Sequence, residues 1–343
     1  MAVPCVRVPV EDGEATRQRL ADADLVDADY AITGDDDALY IPVTAPESVS
    51  DDLDVVEFDA PERRTQTTPA DILGFDPSYE RLGDIVVVDE DDDERARDIA
   101  DAVVDSDIPV ETVLNRASKI KGEQRVRDWD VLVGDSTETV HREYGHEFAL
   151  DLDAVYFSPR LATERHRVIE QVSPGEHAFD MFAGVGPYAV PMASAGAEVV
   201  ATDVNETAIE YLHENARRNG VGDRVTAIAG DVRDVVSGSS RADRSDGVRE
   251  VTGEYEDWAD RVVMNLPHTA GEFLDTAVAL AGDDCVLHYY DIQHEDGRFE
   301  AGETAIRAAA EPEYDVAVET RHTVRSYAPH EFNVVLDVRL TRR

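Results

Sequence analysis

Lysine is almost missing from this chain. Lys119 and Lys121 are the only two in 343 residues, and every other basic residue is arginine. Basic residues of both kinds number 32 against 75 acids, a net charge of −43. That balance excludes a generally basic coat for nucleic acid. It fits a protein that works in high salt, where counterions screen the self-repulsion of an acidic surface. Cysteine is nearly as scarce. Cys5 and Cys285 stand alone, without a Cys-x-x-Cys or a disulfide framework, as expected of a reducing cytoplasm. The first fifteen residues lack a charged start followed by a long apolar run, so no secretory signal is expected. No stretch approaches ~18 uncharged apolar residues, so no membrane-spanning segment is expected either. What remains is ample for real cores. The hydrophobic fraction is 42%, and the length suggests two or three domains.

Periodicity divides the chain. Residues 6–10 alternate like a strand, 15–25 have helical spacing, and 30–32 and 38–43 flank Gly34-Asp35-Asp36-Asp37, a hairpin signal. We read 1–60 as a small N-terminal module and 61–70, within an acidic and proline-dotted stretch, as a linker. Residues 71–160 read as an α+β domain. In it, 84–88 forms a buried strand, and the acids from Asp89 to Glu94 form a solvated loop and the negative start of a helix. From about residue 175 strands at 178–182, 199–202, 225–229, 261–264 and 285–290 alternate with helices at 206–219 and 273–280. An alternating pair at 316–323 and 333–339 closes the chain. Residues 161–343 are therefore a doubly wound, Rossmann-like α/β domain, interrupted by a polar surface loop at 237–257.

The most informative segment is Asp180-Met-Phe-Ala-Gly184-Val-Gly186-Pro-Tyr-Ala189. It follows a strand and opens a helix, where glycines let the backbone turn tightly and approach a ligand. Asp180 ends its strand where a carboxylate can face a cationic ligand. Asp203, at the end of the next strand, can accept the hydroxyls of a ribose. These features alone also fit a dinucleotide fingerprint. Two others discriminate. Asp231, in Gly230-Asp231-Val232, can accept an adenine amino group. Asn265-Leu266-Pro267-His268 follows the fourth strand, where an amide and free backbone carbonyls would lie beside the reacting atom. The order acid, glycine turn, acid, acid, Asn-x-Pro is that of an S-adenosylmethionine site. We assign Asp180, Gly184, Gly186, Asp203, Val204, Asp231, Val232 and Asn265 to the cofactor.

DMFAGVGPYAVP at 180–191, VYFSPRLATERHR at 155–167 and NLPHTA at 265–270 together resemble the archaeal and eukaryotic tRNA (guanine-37-N1)-methyltransferases, over nearly the whole chain. A related family, the aminocarboxypropyltransferases of wyosine synthesis, shares the glycine turn and the Tyr-Phe-x-Pro-Arg segment. The Asn-Leu-Pro of this chain favours methyl transfer. The resemblance implies a class I methyltransferase domain at 161–343, an RNA-facing domain at 71–160 and an N-terminal module that meets the outer corner of tRNA. It implies an enzyme that transfers a methyl group from S-adenosylmethionine to N1 of the guanine 3′ of the anticodon. We read the enzyme as a cytoplasmic monomer without a metal. An NAD-dependent oxidoreductase is the reading from another class, and a non-catalytic RNA-binding module a third.

Guanine N1 carries a proton and is a poor nucleophile. Removing that proton leaves negative charge on O6, so a carboxylate near N1 and a cation near O6 meet the need. By resemblance Glu164 is the general base, Arg165 lies on the cofactor, and Arg125 faces O6, with Arg127 two residues away. Spacing alone would make Glu164 half of a helix-face salt bridge. Tyr156, Asn265 and Pro267 complete the catalytic set, with Pro159 beside Tyr156 as a wall. Arg116, Lys119, Lys121, Arg125 and Arg127 form the one basic island, with Glu123 the only acid among them. Phosphate contact is the functional reading of Arg116, Lys119, Lys121 and Arg127, and a basic hairpin edge the bland one. Tyr188 reads as core, and His268 as a loop histidine without a task.

Overall fold

A computed structural model describes residues 2–343 apart from 36, 64–65, 119–121, 123–125, 238–240, 243–248 and 251–254. The chain divides into two compact units, Met1–Thr68 and Pro69–Arg343.

The first unit contains β1 (Val3–Pro9), α1 (Gly13–Asp22), β2 (Thr33–Gly34), β3 (Ala38–Pro42) and β4 (Asp54–Phe58), in the sheet order β2-β3-β1-β4. Alternation on the strands sends Val6, Val8 and Ile41 to one side, where Leu20 of α1 meets them. At the hairpin the Asp35 carboxylate accepts from the backbone of Asp37 and Ala38. Strand β4 lies where the acidic, proline-dotted stretch suggested no regular structure. Its Val55 and Val56 pair with Val6 and Cys5, and that long-range pairing overrides the local signal.

The second unit begins with α2 (Pro69–Leu73), β5 (Tyr79–Leu82), β6 (Ile85–Val88), α3 (Asp93–Asp105), β7 (Thr112–Arg116) and β8 (Trp129–Val133). The four strands form one sheet in sequence order. Val86, Val88 and Val113 pack against Ile99 and Val103 of α3. The acidic run before α3 supplies its cap: Asp92 accepts from the backbone N–H groups of Glu94 and Arg95. The hairpin of β9 (Glu138–Glu143) and β10 (His146–Asp151) follows.

The larger part is one seven-stranded sheet flanked by helices. Its elements are α4 (Ala162–Ile169), β11 (His177–Asp180), α5 (Ala189–Ser194), β12 (Glu198–Asp203), α6 (Glu206–Arg218), β13 (Val225–Ala229) and α7 (Val232–Ser237). After a short hairpin, β14 (Arg241–Ala242) and β15 (Arg249–Glu250), come β16 (Ala259–Met264), α8 (Leu274–Leu280), β17 (Ala281–His294), α9 (Glu300–Ala310), β18 (Tyr314–Ala328) and β19 (Glu331–Arg342). The order is β13-β12-β11-β16-β17-β19-β18. The first five are parallel, and β19 runs antiparallel to both neighbours. Both faces are buried, so alternate residues feed two cores. Ala178, Val199 and Val263 go to one; Phe179, Val200 and Val262 go to the other. This is why the central strands read as near-continuous apolar runs, and the doubly wound architecture is as expected. The polar insertion is not loop alone, since β14 and β15 pair within it.

Helix α6 ties the β9–β10 hairpin to the sheet. The buried Asn215 accepts from Ala149 N–H at 2.7 Å and donates to the carbonyls of Ala149 and Val185 at 3.0 Å. Asn219 repeats the pattern on Glu147. Val185 lies inside the glycine turn, so the same asparagine steadies that turn.

Candidate active site

The carboxyl ends of β11, β12, β13 and β16 open on one cavity of about 1150 Å³. The glycine turn forms its floor. Ala183 N–H donates to Thr202 at 2.8 Å, Gly186 N–H to Ala183 at 2.9 Å, and Gly230 N–H to Asp203 at 2.9 Å. These bonds lash the three strand ends together. Gly184 and Gly186 have φ of +53° and +91°, values that L side chains rarely adopt. They differ in what a side chain would meet. At Gly186 a Cβ would press on Leu212 at 3.1 Å and Val190 at 3.2 Å; at Gly184 the nearest atom is the Tyr156 carbonyl at 3.8 Å. Tyr156 lines the cavity. The glycine that keeps the cradle open is therefore Gly184, and Gly186 serves the packing of the turn on α6. Pro191 sits in the first turn of α5, where its missing N–H removes no intrahelical bond.

Of the residues singled out in the sequence, Arg116, Arg127, Tyr156, Arg165, Gly184, Asp203, Val204, Asp231, Val232 and Asn265 meet on the cavity wall. Lys119, Lys121 and Arg125 lie outside the described residues. Glu164, Asp180, Gly186 and Pro267 are not on the wall, each for a physical reason.

Asp180 lies beneath it, 1% exposed. One oxygen accepts a long bond from Phe182 N–H at 3.4 Å, and the other is buried with no hydrogen-bond partner. Burial pushes the carboxyl up to about 7. The Phe182 N–H pulls against this, and the charge of Asp203 adds to it. A buried carboxylate without a counter-charge is costly, and a cationic ligand group is the partner that would satisfy it. Asp203 is better served: its oxygens accept from Gly184 N–H at 2.7 Å and Asn205 N–H at 2.9 Å. Asp231 is gripped by Arg233, which donates from Nε and Nη2. The side-chain hydrogen bond from Arg233 holds the Asp231 carboxyl below its ordinary value. Arg233 itself stacks over Phe273, 4.6 Å from the ring centre, and nothing in the local sequence pattern singles out that clamp.

The Asn-Leu-Pro loop corrects one expectation. The carbonyls of Leu266 and Pro267 are not free. Leu266 accepts from Thr269 and Ala270, and Pro267 accepts from Ile292 N–H at 3.0 Å. The buried proline thereby pins the loop to β17 and leaves the Asn265 side chain on the wall.

Glu164 is 5% exposed and lies behind the cavity wall, linked to it through Tyr290 and the wall residue Tyr188. Arg167 donates to both its oxygens at 2.8 Å, Tyr290 donates at 2.6 Å, and His322 stands 3.7 Å off. Arg167 is shared with the buried Asp337, which also meets His288. The helix-face pairing that spacing allowed is thus present, and Tyr290 was invisible because it lies on a distant strand. Tyr188 is buried as the sequence suggested, yet it also lines the cavity, and its hydroxyl donates to Tyr290 at 3.0 Å. Arg165 is held by Glu143 on β9, at 2.8 Å from Nε and 2.5 Å from Nη2, with Ser158 O a third acceptor.

The basic island is less isolated than its sequence suggested. The sheet brings Glu80 and Asp89 against Arg116, two acids from neighbouring segments that a linear reading could not place. Arg127 is different. Burial and the charge of Arg116 hold its guanidinium below the ordinary arginine value, and it stacks near Trp129. His268, at the other end of the cavity, has a partner in Tyr327 at 3.1 Å. Among the described residues no three metal-ligating side chains cluster, and no helix is long and apolar enough to cross a membrane.

Sheet order and glycine turn define a domain of the class I methyltransferase type. Similarity to known proteins specifies it further. Residues 139–319 match the TRM5/TYW2 methyltransferase domain, 5–51 the tRNA methyltransferase 5 N-terminal domain, and 66–137 the TYW2 N-terminal domain. The tRNA (guanine(37)-N(1))-methyltransferase Trm5b of Pyrococcus abyssi is 36% identical over 98% of both chains. Its crystal structure superposes with a TM-score of 0.70 at 35% identity, covering 99% of each chain. A complex of aTrm5 with tRNALeu superposes with a TM-score of 0.69 at 29% identity, covering 98% of this chain and 99% of that one. TYW2 of M. jannaschii in complex with AdoMet gives 0.59 at 28% identity, covering 78% of this chain and all of that one. The chain belongs to the TRM5/TYW2 methyltransferase family.

Proposed function

We propose that this protein transfers a methyl group from S-adenosylmethionine to N1 of guanine 37 in tRNA. The observation that carries the reading is the cavity's acid pattern. Asp180, with one buried oxygen that accepts no hydrogen bond, lies beneath the glycine cradle, with Asp203 and the Asn265 amide beside it, and the three suit an ammonium, a ribose and a reacting centre in that order. Asp231 and Val232 would hold the adenine, with Val204 beside the ribose. The cofactor, when bound, supplies a methyl group made electrophilic by its sulfonium. The chain's own residues do the rest. They orient the base, exclude water from the pocket and remove the N1 proton. Glu164 is the acceptor of that proton, and Arg125 or Arg127 the cation that faces O6. Incubation of unmodified tRNA with methyl-labelled S-adenosylmethionine tests the activity: label should enter 1-methylguanosine, and its absence from that nucleoside would refute the assignment.

The aminocarboxypropyl reading fits less well. The aminocarboxypropyltransferase of Methanocaldococcus jannaschii aligns over 98% of its own length but only 77% of this chain. In the methyltransferase reading, 1–60 is a tRNA-contacting module, joined through 61–70 to an RNA-facing domain at 71–160 and the methyltransferase domain at 161–343.

Two expected outcomes follow from this reading. Gly184→Val should weaken S-adenosylmethionine binding in calorimetry by about tenfold or more, because its side chain enters the cradle. An unweakened isotherm from folded protein would remove the cradle from the cofactor site. The second outcome concerns salt. The acidic surface repels RNA, and salt screens that repulsion over a few ångströms. Salt also weakens phosphate contacts, because counterion release then yields less free energy. With Arg116 already neutralised by Glu80 and Asp89, the repulsive part should win at low salt. tRNA affinity should therefore peak at raised KCl, in keeping with a high-salt, cytoplasmic setting. A steep monotonic loss of affinity from low salt upward, in protein shown by circular dichroism to be folded, would contradict this.

A further inference from the structure

Among the described residues five arginines line the cavity: Arg116, Arg127, Arg165, Arg233 and Arg325. Three are neutralised: Arg116 by Glu80 and Asp89, Arg165 by Glu143, and Arg233 by Asp231. Arg127 and Arg325 pair with no carboxylate among the described residues. In a chain with 75 acids to 32 basic residues, a cavity arginine left without an acid is conspicuous, because carboxylates are available almost everywhere. Arg127 belongs to the basic island. Arg325 belongs to no cluster, and neither cofactor binding nor proton removal calls for it.

Its setting is specific. Arg325 lies on β18, opposite the neutral Asn333 of β19, and irregularities in the pairing flank it between Thr323 and Arg325 and between Ser326 and Ala328. Such bulges re-aim side chains relative to a regular strand. The Arg325 Nε is buried without a hydrogen-bond partner. Two residues on, Tyr327 is 47% exposed. It stands edge-on to His268 with ring centres 5.2 Å apart and lines the same cavity. A buried guanidinium N–H that lacks an acceptor invites an anion. An exposed tyrosine ring beside it offers a face on which a base can stack. A charged group and an aromatic face two residues apart on a strand match the phosphate and base of one nucleotide.

We propose that Arg325 and Tyr327 form an RNA nucleotide subsite on β18, with Arg325 binding a backbone phosphate and Tyr327 stacking on a base next to the methylated guanine. The proposal rests on the tRNA-methyltransferase reading and adds to it a contact from the C-terminal hairpin, remote in sequence from the basic island at 116–127. The cofactor's carboxylate is the other anion within reach of this cavity, and the test separates the two.

The experiment uses the full chain and unmodified tRNA transcript. tRNA binding is measured over a KCl series above the affinity maximum, and S-adenosylmethionine binding by calorimetry, for wild type, Arg325→Gln, Arg325→Lys, Tyr327→Ala and Tyr327→Phe. Arg321→Gln, on the same strand but paired with Glu303, is the control. Arg325→Gln should weaken tRNA binding roughly tenfold and lower the slope of log affinity against log salt by about one. Cofactor affinity should be unchanged, and Arg325→Lys should keep most of the tRNA affinity. Tyr327→Ala should weaken binding where Tyr327→Phe does not. Wild-type affinity and slope in folded Arg325→Gln would overturn the proposal. So would a loss confined to cofactor binding, which would assign the anion to S-adenosylmethionine. If the wild-type protein makes no 1-methylguanosine at all, it is the functional reading that fails, independently of these arms.

Discussion

Glu164→Gln should slow methyl transfer in single turnover by ~100–10,000-fold while leaving tRNA affinity close to that of the wild type. Glutamine keeps the size of the side chain and can still accept from Tyr290 and Arg167, but it cannot take a proton from N1. Around Glu164 the structure offers an acceptor already held by three groups: Arg167 at 2.8 Å, Tyr290 at 2.6 Å and His322 at 3.7 Å. Those groups fix the carboxylate's orientation, and Asp337 keeps Arg167 in place when Glu164 is altered. The variant should therefore fold. Tyr290→Phe removes one of the three contacts and should reduce the rate by less than Glu164→Gln. An unchanged single-turnover rate in Glu164→Gln would remove Glu164 from the chemistry and leave it as the buried ion pair that its neighbours make it.

The second large effect belongs to Asp180. Asp180→Asn should lower S-adenosylmethionine affinity on the order of 100-fold at pH 8, because a desolvated charge pair with an ammonium is lost. The pH dependence is the sharper signature. The wild-type carboxyl sits at about 7 in the free protein, while a cationic ligand needs it ionised. Cofactor affinity should then be flat above pH 7 and fall about tenfold per unit below it, whereas Asp180→Asn should show no such fall. Stability carries the opposite sign. A carboxyl raised above its unfolded value costs the cofactor-free fold stability as pH rises from about 4 to about 7. The cofactor-free Asn variant should therefore melt higher than wild type at pH 8. Calorimetric titrations across pH 5.5–8.5 check the first part and thermal melts the second. A wild-type affinity independent of pH would mean that Asp180 does not meet the cofactor's charge.

What could be read in the sequence, and what could not, follows from the range of the interactions. Strands β11, β12, β13 and β16 are buried on both faces, so their apolar runs are a local signal, and the glycine turn announces itself by residues that must adopt positive φ. Strand β4 was hidden because its pairing with β1 is nonlocal. Within the cavity, Gly184, Asp203 and Asn265 were legible because each sits at a strand end, where the doubly wound fold puts ligands. The electrostatic partners were not. Glu143 reaches Arg165 from β9, Glu80 reaches Arg116 from β5, and Tyr290 reaches Glu164 from 126 residues away. The division of labour between Gly184 and Gly186 was illegible for the same reason, since it depends on which glycine faces Leu212.

The measurement that tests the central claim most directly is a product analysis. Unmodified tRNA is incubated with the protein and methyl-labelled S-adenosylmethionine in raised KCl, digested to nucleosides and separated. A guanine-37 N1-methyltransferase puts the label in 1-methylguanosine and loses it when guanine 37 is replaced; that is the expected result. A methylated nucleoside other than 1-methylguanosine, an aminocarboxypropyl adduct in place of a methyl, or no product from folded, cofactor-binding protein would contradict it.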